Sequence, residues 1–295
     1  MQLVQYARKA RLRGIDIEED TRVSPHATNR EITRVFHKFD LDRNGEVSQP
    51  EFLAVMLTAG KQRRQAEAEF SRFDANGDGT ISYDEFARST VRMARRRQLR
   101  RRLLAEAIGS AFIAWFAGIA SVAKASIGGF ASASMMGMAV ASAVYATRRY
   151  SGAHLNPAFT AAFVATGTFR PRDMPGYVLA QLVGATLAAS AGHVALVVAP
   201  AARSLAVTTV RPSLAVEVLA SFFLVLLVFM VGDEVRRGRL QASLAPMVIG
   251  GVVTLITVAS ANLGVCLNPA VGLGAMIISA VSGLTTPFAL SLIHI

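Results

Sequence analysis

The tripeptide Asn-Pro-Ala occurs twice, as Asn156-Pro157-Ala158 and Asn268-Pro269-Ala270, each inside a long apolar run. Each follows a Gly-X-X-Leu lead-in, Gly152 to Leu155 and Gly264 to Leu267. Asn is a favoured helix N-cap and Pro a favoured first helical residue. Both triplets therefore predict a helix that starts within membrane-length apolar sequence. Such a start places free N–H donors and a partial positive charge at mid-depth. Irregular backbone at that depth is tolerated only where it is buried in protein or lines a cavity.

The triplets belong to an internal repeat. Glu106 opens the run Ala-Glu-Ala-Ile-Gly-Ser-Ala-Phe, and Glu217 opens Val-Glu-Val-Leu-Ala-Ser-Phe-Phe. The two Glu are 111 positions apart and the two triplet Asn 112 apart. Hydropathy predicts spans at 103–123, 127–147, 174–199, 213–232 and 240–260, with short helices at about 157–166 and 269–280. Three spans and a half-helix per repeat force the halves into opposite orientations, so the half-helices enter from opposite faces. The expected fold is an all-α inverted-repeat bundle with two re-entrant half-helices. The residues after Ala270 leave Gly283–Ile295 for a sixth span, too few for a crossing of about 20 residues, so the bundle reads as C-terminally truncated.

Charge divides the chain. Residues 1–102 hold 21 Lys+Arg and 15 Asp+Glu, whereas 103–295 hold 10 and 5. The net charge of +11 does not point to nucleic acid, because its densest run, Arg92 to Arg102, abuts the first span. Arg148, Arg149, Arg170, Arg172, Arg236, Arg237 and Arg239 fall on that same side by span counting, against Lys124, Arg203 and Arg211 on the other. The positive-inside rule then puts the N-terminal module in the cytoplasm of a multi-pass membrane protein. Cys266 is the single cysteine, which excludes an intrachain disulfide. No signal peptide is read in Met1–Asp20, and no catalytic constellation is visible, so the expectation is a non-enzyme.

The soluble part carries two twelve-residue loops, Asp40 to Glu51 and Asp74 to Glu85. Oxygen side chains stand at positions 1, 3 and 5 (Asp40, Asp42, Asn44; Asp74, Asn76, Asp78). Gly45 and Gly79 take position 6, Glu46 and Thr80 offer carbonyls at position 7, and Glu51 and Glu85 close the loops. Hard oxygen ligands in this number and order fit EF-hand loops for two Ca²⁺ ions. Phe36, Phe39, Phe52, Phe70, Phe73 and Phe86 fall at core positions of the flanking helices, and Val47 and Ile81 would pair the loops. The expected organisation is a flexible arm at 1–30, an EF-hand pair at 31–91, an Arg-rich juxtamembrane helix at 92–102 and a membrane domain at 103–295. Tyr83–Arg102 contains no Gly or Pro and reads as one helix running into the first span.

Ser151 to Ala158, the second triplet, Glu106, Glu217, and Tyr177, Gln181, Gly184 and Ala185 on the third span together resemble the aquaporin, or major intrinsic protein, family over about residues 103–282. Residues 31–91 resemble a calmodulin-like EF-hand pair. The membrane resemblance implies six spans, a narrow pore per monomer and a homotetramer in lipid. It also implies amide donors of Asn156 and Asn268 aimed at the permeating molecule, beside Pro157, Ala158, Pro269 and Ala270. Carbonyls of Gly152, Ala153 and His154, and of Gly264, Val265 and Cys266, would supply acceptors. An Arg follows the second triplet in most members, whereas Val271 stands here. Counting from the triplets puts the other filter positions on Met136, Ile256 and Val265.

An apolar constriction of that kind favours neutral solutes such as glycerol, urea, ammonia or peroxide. For Glu106 and Glu217 two roles stay open: acceptors for loop N–H groups, or proton relays. His154 is either a loop-packing residue or a gate. The Arg-rich run reads as a lipid anchor or as a basic helix that the Ca²⁺-loaded pair grasps. Besides a calcium-regulated channel, a membrane-tethered calcium sensor with a non-conducting membrane domain fits the same residues.

Overall fold

The computed structural model describes residues 2–12, 24, 26–198, 214–260 and 265–282. It divides into two compact units, Met1–Arg100 and Arg101–Ile295.

In the first unit, helix α1 (Gln2–Leu12) precedes α2 (Asn29–Phe39), α3 (Gln49–Thr58) and α4 (Arg63–Phe73). Thr28 and Glu31 form a capping box that starts α2, and Ile32, Val35, Phe36 and Phe39 form its buried stripe. Strands β1 (Glu46–Ser48) and β2 (Thr80–Ser82) pair antiparallel, with Val47 opposite Ile81. Phe36, Phe39, Phe52, Phe70, Phe73 and Phe86 all join one buried core. Ring centroids of Phe39 and Phe52 lie 5.2 Å apart, and those of Phe73 and Phe86 5.3 Å. Within the arm expected at 1–30, residues 2–12 are helical. They form α1, whose Ala10 is fully buried and whose Leu3, Tyr6 and Ala7 pack on the same core.

Helix α5 (Tyr83–Ile127) contributes its first turns to the first unit and the remainder to the second. The second unit continues with α6 (Gly129–Ser151), the half-helix α7 (Pro157–Ala165), a 3₁₀ turn at Pro171–Asp173, α8 (Met174–Val198), α9 (Leu214–Arg236), α10 (Ala245–Ala259) and the half-helix α11 (Pro269–Ser282). Among the described residues four helices are long and apolar enough to cross a membrane, and α10 and α11 are shorter apolar helices. The span expected at 240–260 is shorter, because Gln241–Leu244 form turns and Pro246 sits in the first turn of α10. Residues 283–295, where the truncation was read, and Gly264 lie outside the described residues.

Close helix pairs set the walls of the second unit. Helix α6 packs along α10, and α8 along α11. Gly137 and Gly250 face each other so closely that a Cβ on either would overlap the other's backbone carbonyl. Gly184 meets the backbone of Ala107 in the same way. These glycines let the backbones approach, as in other membrane helix pairs. Gly137→Ala should therefore force α6 from α10 and cost about 1–3 kcal/mol, the usual range for overpacking. Gly118→Ala, where a Cβ would meet nothing within 4 Å, is the neutral control. Thermal unfolding of the full chain in detergent reads the difference, and equal melting of the two variants would contradict the close packing.

Candidate functional site

Asn156 caps α7: its Oδ1 accepts the Ala158 N–H at 2.8 Å. Asn268 does the same for α11, accepting from Ala270 at 3.0 Å. The other end of each amide crosses between the repeats. Asn156 Nδ2 donates to the Leu267 carbonyl at 2.8 Å, and Asn268 Nδ2 donates to the Leu155 carbonyl at 2.9 Å. The two half-helix starts are thus tied by a reciprocal pair of hydrogen bonds. Facing the permeant was the one use expected of these amides, and the cross-bonds add a second. One hydrogen of each NH₂ is committed to the opposite loop, and the second remains for the cavity that both Asn line.

The loops that deliver these carbonyls have backbone that L-residues seldom adopt. Leu155 has φ 53° and Leu267 φ 61°, in the left-handed region, and Ala153 has φ 55°. A carboxylate holds each loop: Glu106 is fully buried, whereas Glu217, expected to be buried as well, is half-buried. Glu106 accepts the N–H groups of His154 at 3.0 Å and Leu155 at 2.6 Å. Glu217 accepts those of Cys266 at 2.6 Å and Leu267 at 3.2 Å. The same leucine therefore gives its N–H to a Glu of its own half and its carbonyl to an Asn of the other. The geometry is that of backbone acceptors, one of the two roles left open for these acids.

The first half carries extra support. Gln181 Nε2 donates to Glu106 at 2.7 Å and to Thr160 Oγ1 at 3.0 Å, and Tyr177 donates its hydroxyl to the Ser151 carbonyl at 2.8 Å. Thr160, fully buried and four residues after Asn156, was not singled out from the sequence. Its signal was a lone hydroxyl residue in an otherwise apolar half-helix. His154 Nδ1 lies 3.3 Å from Thr160 Oγ1, and its ring sits among Phe163, Phe169 and Tyr177 with centroids 4.6–5.0 Å away. His154 is thereby packed on several sides while still lining the cavity.

That cavity measures about 310 Å³. Both triplet Asn line it, with Gly152, Ala153, Leu155, Cys266 and Leu267 of the two loops. Of the expected filter residues, Met136, Val265 and Val271 line it, but Ile256 does not. Ile256 packs beside Leu224 and Val253, while Val253 and Thr257 of α10 reach the cavity wall. A count of 12 residues from Asn268 to Ile256 tolerates no slip, because one residue turns a helix by about 100°. Lys124 is the one Lys, Arg, Asp or Glu among the described lining residues.

The first unit presents its two acidic loops. In the first, ligand atoms of Asp40, Asp42 and Glu51 lie within 4.8 Å of one another, the one such group among the described residues. Asp40 accepts the N–H groups of Asn44 and Gly45, both at 3.2 Å, and Asn44 Oδ1 accepts that of Glu46 at 2.9 Å. Glu51 accepts from Leu41, Asp42 and Ser48. In the second loop Asp74 accepts from Gly77 and Gly79, Asn76 from Asp78, and Glu85 from Ala75, Asn76 and Ser82. The Thr80 N–H, then the Asn76 amide and Thr80 hydroxyl, hold the Asp78 carboxyl below its ordinary range. Gly45 and Gly79 have φ 92° and 89°, the turn that position 6 requires. Three converging carboxylates with carbonyl and amide oxygens beside them are a hard-oxygen donor set, which fits Ca²⁺.

Comparison with known proteins agrees with both units. Residues 31–90 match the EF-hand domain pair, and residues 93–288 match Major intrinsic protein. Aquaporin NIP1-1 of Zea mays is 34% identical over 188 residues, which cover 60% of this chain and 64% of the relative. Aquaporin NIP1-3 of Oryza sativa subsp. japonica is 34% identical over 231 residues, covering 75% of this chain and 76% of the relative. The chain thus spans less than two thirds of the length of the maize protein. The aquaglyceroporin of Plasmodium falciparum shares the fold with TM-score 0.56 and 22% identity, covering 66% of this chain and 90% of that one. The paired half-helices, their carboxylate braces and these matches place the chain in the major intrinsic protein family, with an EF-hand pair ahead of its membrane domain.

Proposed function

We propose that the membrane domain is a passive channel for small neutral solutes and that the EF-hand pair, on the cytoplasmic side, binds two Ca²⁺ ions and regulates the flux. One observation carries the channel reading: two half-helix N-termini meet at a cavity, joined through Asn156 and Asn268, each with an amide hydrogen left over. Two aligned dipole ends at mid-depth disfavour cations and offer donors to a neutral oxygen or nitrogen. A homotetramer in lipid is the assembly proposed, on the strength of the family resemblance alone. No reaction is assigned, since the family is one of channels.

The wall argues for the solute class. At the expected filter positions Met136, Val265 and Val271 offer no hydrogen-bonding hydrogen, although Ser121, Ser132, Thr257, Ser260 and Lys124 also line the cavity. Water stripped of its neighbours there is poorly compensated, at about 1–3 kcal/mol per unmet group. Valine at 271 in place of the arginine of most members leaves more room and no charge there, which suits neutral solutes such as glycerol, urea, ammonia or peroxide. In proteoliposome swelling, glycerol should pass at a rate comparable with water, and fast water flux without glycerol flux would sink the solute assignment. Val271→Arg returns a charged donor and should shift the ratio towards water by roughly tenfold, about 1.4 kcal/mol. Absence of flux for every solute, with Ca²⁺ binding intact, would favour the second reading, a membrane-tethered calcium sensor. The apolar filter positions are the observation on its side.

Glu106 and Glu217 act here as loop braces. Glu106→Ala leaves two buried N–H groups without their acceptor and takes one of the two acceptors of the Gln181 amide, and should cost about 2–5 kcal/mol of stability. Glu106→Gln keeps one acceptor oxygen and should lie between. A proton relay would instead leave melting unchanged and alter proton leak across the liposome membrane.

Asp40, Asp42, Asn44, Glu46 and Glu51 would hold one Ca²⁺, and Asp74, Asn76, Asp78, Thr80 and Glu85 the other. Glu85 lies in the first turn of α5, and Glu106 lies further along the same helix. That continuity motivates regulation: a change at Glu85 acts on the helix that supplies a loop brace. Flux with Ca²⁺ and with chelator should differ in the wild type and coincide in Glu51→Gln/Glu85→Gln. Equal flux in all four conditions would remove the regulatory part.

A further inference from the structure

Five consecutive side chains of α3, Phe52 to Met56, are each 5% exposed or less. A helix on a domain surface buries only a stripe, three to four positions in two turns. Continuous burial requires cover on two sides. The phenylalanine cluster supplies one: Phe52 lies 5.2 Å from Phe39, 5.7 Å from Phe70 and 5.6 Å from Phe73. Helix α1, packed along α3, supplies the other.

The contacts of α1 follow helical spacing. Leu3, Tyr6, Ala7 and Ala10 face the core, while Arg8, Lys9 and Arg11 are exposed and Val4 is 74% exposed. So α1 is a short basic amphipathic helix lying on an apolar face, the arrangement of a helix-in-groove complex. It is also tied to a calcium loop. Tyr6 donates its hydroxyl to Asp42 Oδ2 at 3.0 Å, and Asp42 Oδ1 accepts the Asn44 N–H at 3.2 Å. Both oxygens of this third-position carboxylate are engaged, one of them by α1.

We infer that the α3 face of the EF-hand pair is a docking surface for a basic amphipathic helix, that the chain's own α1 is its occupant, and that α1 and Ca²⁺ oppose each other through Asp42. This rests on the reading that the first loop binds Ca²⁺. An Asp42 oxygen that ligates Ca²⁺ is a poorer partner for a phenol, so occupancy of the loop weakens the seat of α1. By reciprocity the seated helix lowers Ca²⁺ affinity by the same factor. No such penalty acts on the second loop, because among the described residues no side chain of α1 bonds to it.

The full chain in detergent, in a Glu85→Gln background that silences the second loop, allows the test by calorimetric Ca²⁺ titration. Tyr6→Phe keeps the ring and removes the hydroxyl, and should tighten Ca²⁺ binding by about 3–10-fold. Deleting residues 1–12 should tighten it at least as much, and Val4→Ala should leave it unchanged. Unchanged or weaker binding in Tyr6→Phe, or an equal shift in Val4→Ala, would overturn the inference while leaving Ca²⁺ binding itself standing. No binding by the wild type would remove both. Amide hydrogen exchange gives the converse: amides 2–12 should exchange faster with Ca²⁺ than without, and only where Glu51 is intact. Equal protection in both states would overturn the coupling.

Discussion

A loop that enters the membrane and turns back leaves peptide N–H and C=O groups without ladder partners where water is scarce. Glu106 and Glu217 take the N–H groups, and the amides of Asn268 and Asn156 take the carbonyls. Everything else in the membrane domain follows from that exchange. Leu155 and Leu267 can hold a left-handed backbone because both of their polar groups are bonded from outside the loop. The half-helices can begin at mid-depth because Asn caps them and Pro needs no donor partner. A carboxylate in this setting would be costly alone. Two backbone hydrogen bonds each convert it into part of the backbone's own accounting.

The repeat, the half-helices and both EF-hand loops were legible in the sequence, because each rests on residues whose chemistry is local. Asn before Pro marks a helix start whatever surrounds it. Glycine at the sixth loop position marks a turn that other residues resist. The cross-bonds Asn156 to Leu267 and Asn268 to Leu155 were not legible, since they join residues 111 and 113 positions apart and depend on how the halves meet. Ile256 illustrates another limit. It lies on the right helix, but wall position depends on rotation, and Val253 and Thr257 hold the wall instead.

Helix α1 was missed for a different reason. Its buried stripe contains two alanines, Ala7 and Ala10, and little apolar mass. Alone it has too small a face to predict burial. The missing information was in α3, where Phe52-Leu53-Ala54-Val55-Met56 is apolar without a break and needs a second cover. A run with no polar face says that another element is coming, though not which one. Tyr6 then gives the contact its specificity, since a phenol can be buried at its ring and still reach a loop carboxylate.

The central claim is that the two halves are held by one reciprocal brace rather than by separate local contacts. A double-mutant cycle on Asn156→Ala and Asn268→Ala, read by thermal unfolding of the full chain in lipid nanodiscs, tests it most directly. Removing either amide loosens the shared junction, so the second removal should cost less than it does alone. The predicted coupling is about 0.5–3 kcal/mol, the range for residues in one network. Strictly additive losses would contradict the account, because they would mean that each Asn stabilises only its own half-helix.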